Sequence, residues 1–301
     1  MNTLTRCKPL LGTYVEVSIT ADMDNQALLE MSSAAFAEIE QIQQLMGFHD
    51  PDTELSQLNR KAHLKPCHVS PHMVKVIGRA LELSELSGGV FDITIAPELI
   101  KQGLLPDLHQ HVSGSWKNIQ LEGDQVYFNR PLLIDLGGIA KGYAVDCALA
   151  VCALDADVVI NAGGDLRMSH WQDKQVVIRH PELESGEMIS VDMQNNALAT
   201  SAPYFVEDQQ PFGTTAGVKN DMKVGINNGQ KSSMICPFTR QPVNYRQSVS
   251  VFAPSCMLAD ALTKVAVLEP DFEPVLQTLG AEALVVNYPD SRAIQPDYAL
   301  V

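Results

Sequence analysis

Three pairs of adjacent glycines constrain the fold of this 301-residue chain more than any other feature of its sequence. The pairs and the aspartate nearest to each are Gly88–Gly89 with Asp92, Gly137–Gly138 with Asp135, and Gly163–Gly164 with Asp165. Because glycine tolerates backbone conformations that other residues avoid, paired glycines indicate sharp turns or places where the backbone approaches a ligand closely. Three such turns, each beside an acid, favour a shared cleft, although each turn can also simply end a helix or strand.

The segments between these turns mix strands and helices without the strict alternation that a doubly wound sheet requires. Strands are predicted at 11–20, 132–134, 158–161, 175–179, 188–193, 248–252 and 283–287, helices at about 24–46, 71–87, 139–154, 255–267 and 272–279, and loops with short strands at 103–130. The expected N-caps are Asp22 or Asp24, Ser70 and Ser255. We therefore predict an α+β fold with mixed or antiparallel sheets, forming one domain over 1–301 with one or two lobes beside the cleft. Residues 206–232 are polar and glycine-rich and are expected to be an irregular insertion.

The composition excludes several classes of protein. A formal net charge of −15 and a pI of about 4.8 disfavour binding to the nucleic-acid backbone, although a local pocket can still be cationic and hold a phosphate. The six cysteines form no Cys-x-x-Cys pair, which disfavours zinc and thioredoxin-like sites and predicts free thiols. The sequence has neither a signal-peptide apolar region nor a run of 18 apolar residues, so we expect no membrane span and a cytoplasmic location.

The stretch IDLGGIAKGYAVD, residues 134–146, carries the most chemical information. A predicted strand end delivers Asp135, and a helix begins beside the glycines, so that its free N–H groups suit a phosphate. Lys141 adds a positive charge, and Asp135 can accept hydrogen bonds from a ribose or a flavin edge. The stretch is neither a Walker loop nor a G-x-G-x-x-G fingerprint. On glycine spacing alone, a tight turn with a surface lysine is the better explanation.

Taken together, however, the motifs of this chain resemble those of the ApbE family. The similar segments are LGTYVEV (11–17), DPDTELSQLN (50–59), SGGVFDITIAPEL (87–99), IDLGGIAKGYAVD (134–146), VINAGGDLR (159–167), ATSAPY (199–204) and SVSVFAPSCMLADAL (248–262). They occur in the family's order across about residues 10–270. One such match is weak support, whereas six or seven in register are strong support.

The resemblance implies an α+β fold with ApbE-like, T-fold-like architecture. It also implies that the chain binds FAD and transfers FMN to a Thr or Ser hydroxyl of a target flavoprotein, with AMP as the leaving group. Some family members instead hydrolyse FAD to FMN and AMP. Mg²⁺ usually bridges the diphosphate in this family and offsets the charge on its oxygens.

The resemblance also assigns site residues. It places FAD against Leu11, His49, Val90, Phe91, Asp92, Asp135 and Lys141. His49 stands where the family often has Tyr, so its ring can stack on flavin or adenine, or it can be an exposed turn histidine. The implied metal ligands are the backbone carbonyl of Gly138 and the carboxylate of Asp260, which are the hard oxygen ligands that Mg²⁺ prefers.

The last motif departs from the family pattern. Lys264 stands where the family has Thr, four residues after Asp260, and Thr263 stands one residue earlier. Because residues i and i+4 share a helix face, Lys264 points towards the metal position. Its ammonium group can take the cation's place beside the diphosphate, or it can form a plain surface salt bridge with Asp260. We favour the first interpretation because Asp260 lies in the matching motif.

A second motif is also altered. The family segment HxxDPxTG is best matched by SMICPFTR (233–240), in which Ser233, Cys236 and Arg240 replace His, Asp and Gly. Ala202 likewise replaces the glycine of the TSG motif. These changes leave FAD binding intact as a prediction and weaken the prediction of Mg²⁺-dependent transfer.

The sequence thus predicts an FAD:protein FMN transferase with Asp260 and Lys264 as its catalytic residues. A general base is needed near the acceptor hydroxyl, and Asp260 is the first candidate and His180 the second. Two alternatives stay open: FAD hydrolysis in the same site, and a flavin-binding protein without turnover, which the altered motif would suit. The predicted partners are FAD and an acceptor flavoprotein, with no nucleic acid and no membrane span.

Overall fold

The computed structural model describes residues 1–108, 112–179, 188–202, 232–287 and 298–300. The predicted insertion at 206–232 lies outside the described residues except for its last residue. His180, the second candidate for a general base, and the end of the ATSAPY segment at 203–204 also fall outside them.

Seven α-helices occur within the described ranges, and three of them begin where the sequence predicts an N-cap. The helices are α1 (Asn25–Met46), α2 (Glu54–Lys61), α3 (Pro71–Leu86), α4 (Ala96–Lys101), α5 (Ala140–Ala150), α6 (Cys256–Leu268) and α7 (Glu273–Thr278). Asp24, Ser70 and Ser255 accept hydrogen bonds from first-turn N–H groups of α1, α3 and α6. Helix α5 ends earlier than the predicted limit of 154, and Leu154 is almost fully exposed with no apolar surface to pack on.

Every strand pair that the structure describes is antiparallel. The strands are β1 (Asn2–Leu10), β2 (Thr13–Ala21), β3 (Cys67–His68), β4 (Ile119–Glu122), β5 (Gln125–Phe128), β6 (Asp157–Ala162), β7 (Asp165–Met168), β8 (Gln175–Arg179), β9 (Met188–Asp192), β10 (Ala197–Ser201), β11 (Ile235–Cys236), β12 (Gln241–Pro242), β13 (Gln247–Ala253), β14 (Glu282–Asn287) and β15 (Tyr298–Leu300). Eight of them form the main sheet in the order β1-β2-β6-β7-β10-β13-β14-β15. Smaller sheets join β3-β5-β4, β8-β9 and β11-β12.

The main sheet buries both of its faces. Successive side chains of a strand point to opposite faces, and along the central strands both sets are largely apolar. In β10, Ala197 and Ala199 belong to the large core under α1, α5 and α6, whereas Leu198 points to the opposite face. There Leu198 packs with Val176 and Ile178 of the β8–β9 hairpin. The helices therefore cover one face and the hairpin the other, and the α+β prediction is confirmed.

The strand predicted at 132–134 is wrong. The backbone N–H and C=O of Ile134 bind the side-chain amide of Asn59 at 2.9 and 3.0 Å, not a neighbouring strand. The N–H of Asp135 binds the carbonyl oxygen of Ile93 at 2.8 Å. A side-chain amide can satisfy the same backbone groups as a strand, so an apolar run of this length is ambiguous. The sequence prediction also missed several elements: β1, α2, β3, α4, β7, β10, β11, β12 and β15.

In the parts of the chain that are described, no helix has both the length and the apolar character needed to cross a bilayer. The expected cytoplasmic location and the number of lobes stay predictions. The six cysteines are free thiols, as expected.

Candidate active site

The three glycine pairs meet different demands, two of conformation and one of space. The positive φ angles are 62° at Gly88, 92° at Gly89, 65° at Gly163 and 104° at Gly164. Other residues rarely adopt this left-handed region, so both of these turns depend on glycine. At the middle pair, a Cβ on Gly137 would lie 3.0 Å from the Asp135 carboxylate, and one on Gly138 would lie 3.2 Å from Cε of Lys264. That pair lets two functional side chains lie directly on the backbone.

Helix α6 is fixed against α5 by Asp146 and Gly142. The Asp146 carboxylate accepts hydrogen bonds from the N–H groups of Cys256 (2.8 Å) and Met257 (3.0 Å), the first residues of α6. It also pairs with the Arg167 guanidinium of β7 at 2.5 Å. A Cβ on Gly142 would overlap the carbonyl oxygen of Cys256, so the two helices can meet this closely only because residue 142 is glycine. As a result, the first turn of α5 lies against the first two turns of α6.

This contact assembles a charge quartet, which we define as Lys141, Asp165, Asp260 and Lys264. Nζ of Lys141 lies 2.5 Å from a carboxylate oxygen of Asp165. Nζ of Lys264 donates to Oδ1 of Asp260 and, at 2.8 Å, to the backbone oxygen of the same residue. The other Asp260 oxygen accepts the N–H of Gly142 at 3.2 Å. Because Asp260 is only 1% exposed, its pair with Lys264 is not a surface salt bridge.

The quartet keeps Asp260 ionised. Burial opposes the charge of Asp260, but Lys264 and Lys141 outweigh this effect and hold its pKa below the usual value. At Asp165, burial and the nearby Asp260 charge raise the pKa, and Lys141 only partly offsets them. Burial also opposes the charge on Lys141, yet Asp165 and Asp260 together raise its pKa. Two carboxylates and two ammonium groups thus hold one another in place.

A pocket adjoins the quartet and brings together most of the residues that the sequence assigned to FAD or metal. Its lining comprises Val90, Phe91, Asp92, Ile93, Ile95, Asp135, Gly138, Ser233, Met234, Ile235, Pro237, Lys264 and Leu268. Six of these are predicted site residues: Val90, Phe91, Asp92, Asp135, Gly138 and Lys264. Lys141 and Asp260 do not line the pocket and lie behind Lys264 in the quartet. The lining therefore combines apolar side chains with three charged residues, Asp92, Asp135 and Lys264.

Two aspartates of this lining have raised pKa values. Burial raises the pKa of Asp135 to about 6, against the opposing effects of the Gly137 N–H and the charge of His49. Burial likewise raises the pKa of Asp92, although its carboxylate accepts the N–H groups of Thr94 (2.8 Å) and Trp116 (3.3 Å). These carboxylates rest mainly on backbone amides, so they are less firmly ionised than Asp260.

Leu11 and His49 lie away from the pocket lining as the described residues form it. Leu11 has a left-handed φ of 55° in the β1–β2 turn, and its N–H binds the Gln43 side chain at 2.6 Å near the end of α1. His49 follows the same helix end and is exposed, and its charge acts on Asp135. Both residues therefore sit near the C-terminal end of α1, and only His49 is linked electrostatically to the pocket.

Arg240 is a site residue that the sequence reasoning treated only as a departure from a motif. Its guanidinium donates to the Thr94 carbonyl at 3.0 Å, to the Thr94 hydroxyl at 3.2 Å and to the Gly114 carbonyl. Glu98 and Asp92, both buried, lie 3.5 and 3.9 Å from it. Arg240 thus anchors the β11–β12 hairpin, which supplies the Ser233–Pro237 side of the pocket. An arginine in a glycine position was the sequence signal.

The residues implied as Mg²⁺ ligands do not fit a divalent cation in this chain. Both carboxylate oxygens of Asp260 already accept hydrogen bonds, one of them from the Lys264 ammonium. The Lys264 stem runs past Gly138, whose carbonyl is the other implied ligand, with Cε 3.2 Å from where a Cβ would stand. Across the described ranges, no three His, Cys, Asp or Glu side chains cluster in a way that could hold a metal ion.

Comparisons with known proteins identify the family of this chain. The ApbE family profile matches residues 11–284. The FAD:protein FMN transferase of Vibrio cholerae is 25% identical over 284 residues, covering 84% of this chain and 80% of that protein. The enzyme of the same name from Escherichia coli K12 is 23% identical over 302 residues, covering 92% and 81%.

Solved structures show the same fold. The flavin transferase ApbE of Vibrio cholerae matches with a TM-score of 0.76 at 21% identity, covering 100% of this chain and 96% of that one. The Pseudomonas stutzeri flavinyl transferase ApbE also matches with a TM-score of 0.76, at 18% identity and coverages of 100% and 94%. Because the family profile spans most of the chain, this protein belongs to the ApbE family, and the resemblance inferred from its motifs is confirmed.

Proposed function

We propose that this protein is an FAD:protein FMN transferase. It would move FMN from FAD to a Thr or Ser hydroxyl of an acceptor flavoprotein and release AMP. The observation that carries the proposal is one pocket whose lining combines Val90, Phe91, Asp92 and Asp135 with Lys264. The shared name of the relatives compared above supports the same reaction.

The apolar and the charged residues of the lining suit the two chemical parts of a flavin dinucleotide, its aromatic rings and its phosphates. Val90 and Phe91 are buried apolar residues that can cover an aromatic ring. Lys264 supplies a positive charge in the same lining for the linked phosphates. Lys141 adds positive charge from deeper in the quartet, where Asp165 holds it.

Transfer exchanges the phosphoanhydride bond between the FMN and AMP halves of FAD for a phosphoester bond. The acceptor hydroxyl oxygen attacks the phosphorus of the FMN half, a new P–O bond forms, and the P–O bond to AMP breaks. The hydroxyl proton must pass to a base while negative charge grows on the AMP phosphate. Lys264 stabilises that charge because it is a cation held in a fixed position before the reaction begins.

Among the carboxylates at the site, we assign the base to Asp135, whereas the sequence favoured Asp260. Asp260 has a lowered pKa and both of its oxygens are engaged, so it accepts a proton poorly. Asp135 lines the pocket and has a pKa of about 6, which suits proton transfer near neutral pH. Asp260 instead orients Lys264 through two hydrogen bonds.

The proposal can be tested with the purified protein, FAD and an acceptor flavoprotein domain that carries a Thr flavinylation motif. Intact-mass spectrometry should show the acceptor gaining one FMN phosphoester, and chromatography should show an equal amount of AMP. Asp135→Asn should slow this transfer at least about 100-fold, because general base catalysis contributes 10²- to 10⁴-fold. Glu16→Gln on the exposed side of β2 is a control that should leave the rate unchanged.

Other products would identify other functions. Free FMN and AMP in equal amounts, with an unmodified acceptor, would mean that water replaces the hydroxyl and that the protein is an FAD diphosphatase. Bound but intact FAD would mean a flavin-binding protein without turnover. If Asp135→Ala and Lys141→Ala both left FAD affinity unchanged in calorimetry, the pocket itself would be the wrong site.

A further inference from the structure

Lys264 occupies the position at which the family resemblance places a divalent cation. Its Nζ donates to the carboxylate and to the backbone carbonyl of Asp260, the residue that would otherwise bind the metal. The second carboxylate oxygen of Asp260 is taken by the N–H of Gly142. The oxygens that would ligate a cation therefore already have a positively charged or N–H partner.

The lysine is built into this position along its whole side chain. Cε, Cδ and Cγ of Lys264 would lie 3.2, 3.7 and 3.9 Å from a Cβ on Gly138, so the stem runs closely over that glycine. The Lys264 side chain is only 23% exposed. A side chain packed in this way does not swing aside at low cost to admit a metal ion at Gly138.

The charge balance supports the same conclusion. The quartet contains Asp165, Asp260, Lys141 and Lys264, which sum to zero formal charge. A neutral residue at position 264 would leave the group with a net charge of −1 beside two inward carboxylate oxygens. The neutral quartet has no net charge to attract a metal cation. A quartet with a net charge of −1 would attract one.

We propose that the Lys264 ammonium replaces the divalent cation in this chain, and that Lys264→Thr alone converts the position into a Mg²⁺ site. The site after substitution would offer the Asp260 carboxylate, the Gly138 carbonyl and the new hydroxyl, all of them hard oxygen ligands. In the native chain, two of the three ammonium protons bind Asp260, and the third is directed to the diphosphate of FAD. Only this last role depends on the proposed transferase function.

Cation binding can be measured without FAD and without any enzymatic assay. Isothermal titration with MgCl₂, and paramagnetic resonance with Mn²⁺, would be applied to the native protein, Lys264→Thr and Lys264→Thr/Asp260→Asn. We expect saturable binding of one cation by Lys264→Thr only. Lys174→Thr is the matched control, because it removes a lysine from the half-exposed pair with Asp157 and should gain no site.

The result on the native protein keeps the inference falsifiable even if the variants fold poorly. One saturable Mg²⁺ site in the native chain, lost in Asp260→Asn, would overturn it. Failure of a folded Lys264→Thr variant, as judged by circular dichroism and thermal unfolding, to bind either cation would also overturn it.

A second readout links the cation to turnover. In the presence of EDTA, the native protein should keep its FAD-dependent activity within about twofold, whereas Lys264→Thr should lose at least about tenfold and recover with Mg²⁺. A native protein that lost at least about tenfold on EDTA and regained it with Mg²⁺ would contradict the inference. If no protein turned FAD over at all, the proposed function would fail, while the cation titrations would still decide the role of Lys264.

Discussion

The pocket lining and the charge quartet beside it use aspartate in opposite ways. In the quartet, Asp260 contacts Lys264 directly and has a lowered pKa. In the pocket lining, Asp135 accepts hydrogen bonds from the backbone N–H groups of Gly137, at 3.2 Å, and Leu136, and burial raises its pKa to about 6. Lys264 acts electrostatically on both carboxylates. The comparison shows that, for these two aspartates, direct contact with Lys264, supported by the charge of Lys141, lowers the pKa of Asp260, whereas burial dominates at Asp135.

The largest expected effect comes from breaking the charge quartet. Asp260→Ala leaves Lys264 without its partner, and removing one member of a buried pair costs about 3–5 kcal/mol of unfolding free energy. Urea denaturation would measure the loss. The control is Glu40→Ala, which breaks the half-exposed pair with Lys8 and should cost less than about 1 kcal/mol. Equal losses in the two variants would show that the quartet is not a buried structural unit.

The next effect tests the contact between α5 and α6, which assembles the quartet. Gly142→Ala forces a methyl group into the Cys256 carbonyl and should cost about 1–3 kcal/mol through overpacking. Gly78→Ala is a matched helical control, because its Cβ would meet Leu121 at an ordinary 3.4 Å. That substitution should be neutral or stabilising by up to about 1 kcal/mol. A stabilised Gly142→Ala protein would mean that α5 and α6 do not meet as described.

In the pocket lining, Asp135→Asn should stabilise the protein. Since the folded-state pKa of Asp135 is about 6 against an ordinary value of 3.8, the native state holds the proton more tightly than the unfolded chain does. Stability due to this group is therefore present at low pH and is lost as the pH rises from about 4 to 6. At pH 7 the asparagine variant should gain up to about 3 kcal/mol in thermal or urea unfolding, and below pH 4 it should gain nothing. A gain that did not depend on pH would point to another cause.

The same aspartate should shape the pH profile of transfer. If Asp135 is the base, the rate should rise as the pH passes through about 6, and that limb should disappear in the residual activity of Asp135→Asn. Asp260, whose pKa is lowered, should add no limb in this range. A limb that persisted in Asp135→Asn would assign the base to another group.

The smallest expected effect concerns the β11–β12 hairpin, which supplies part of the pocket lining. Arg240→Ala removes the hydrogen bonds to Thr94 and Gly114 that hold the β11–β12 hairpin. FAD affinity measured by calorimetry should fall several-fold, less than about 1.4 kcal/mol, which is the free energy of a tenfold change. Mg²⁺ titrations of the native and Arg240→Ala proteins should agree, because Arg240 does not contact the quartet in the described structure. A change in cation binding would show that the β11–β12 hairpin and the quartet are coupled.

The sequence by itself determined the class of fold, the N-caps, the turns at the glycine pairs and six of the residues that line the pocket. These features follow from local conformational preferences and from motifs that are continuous in the chain. The tertiary structure decided three other things: the run 132–134 binds Asn59 instead of a strand, the Asp260–Lys264 pair is buried, and Arg240 reaches Thr94. Each depends on groups far apart in sequence or on the depth at which a charge is buried. For that reason the division of labour between Asp135 and Asp260 emerges only when the chain is folded.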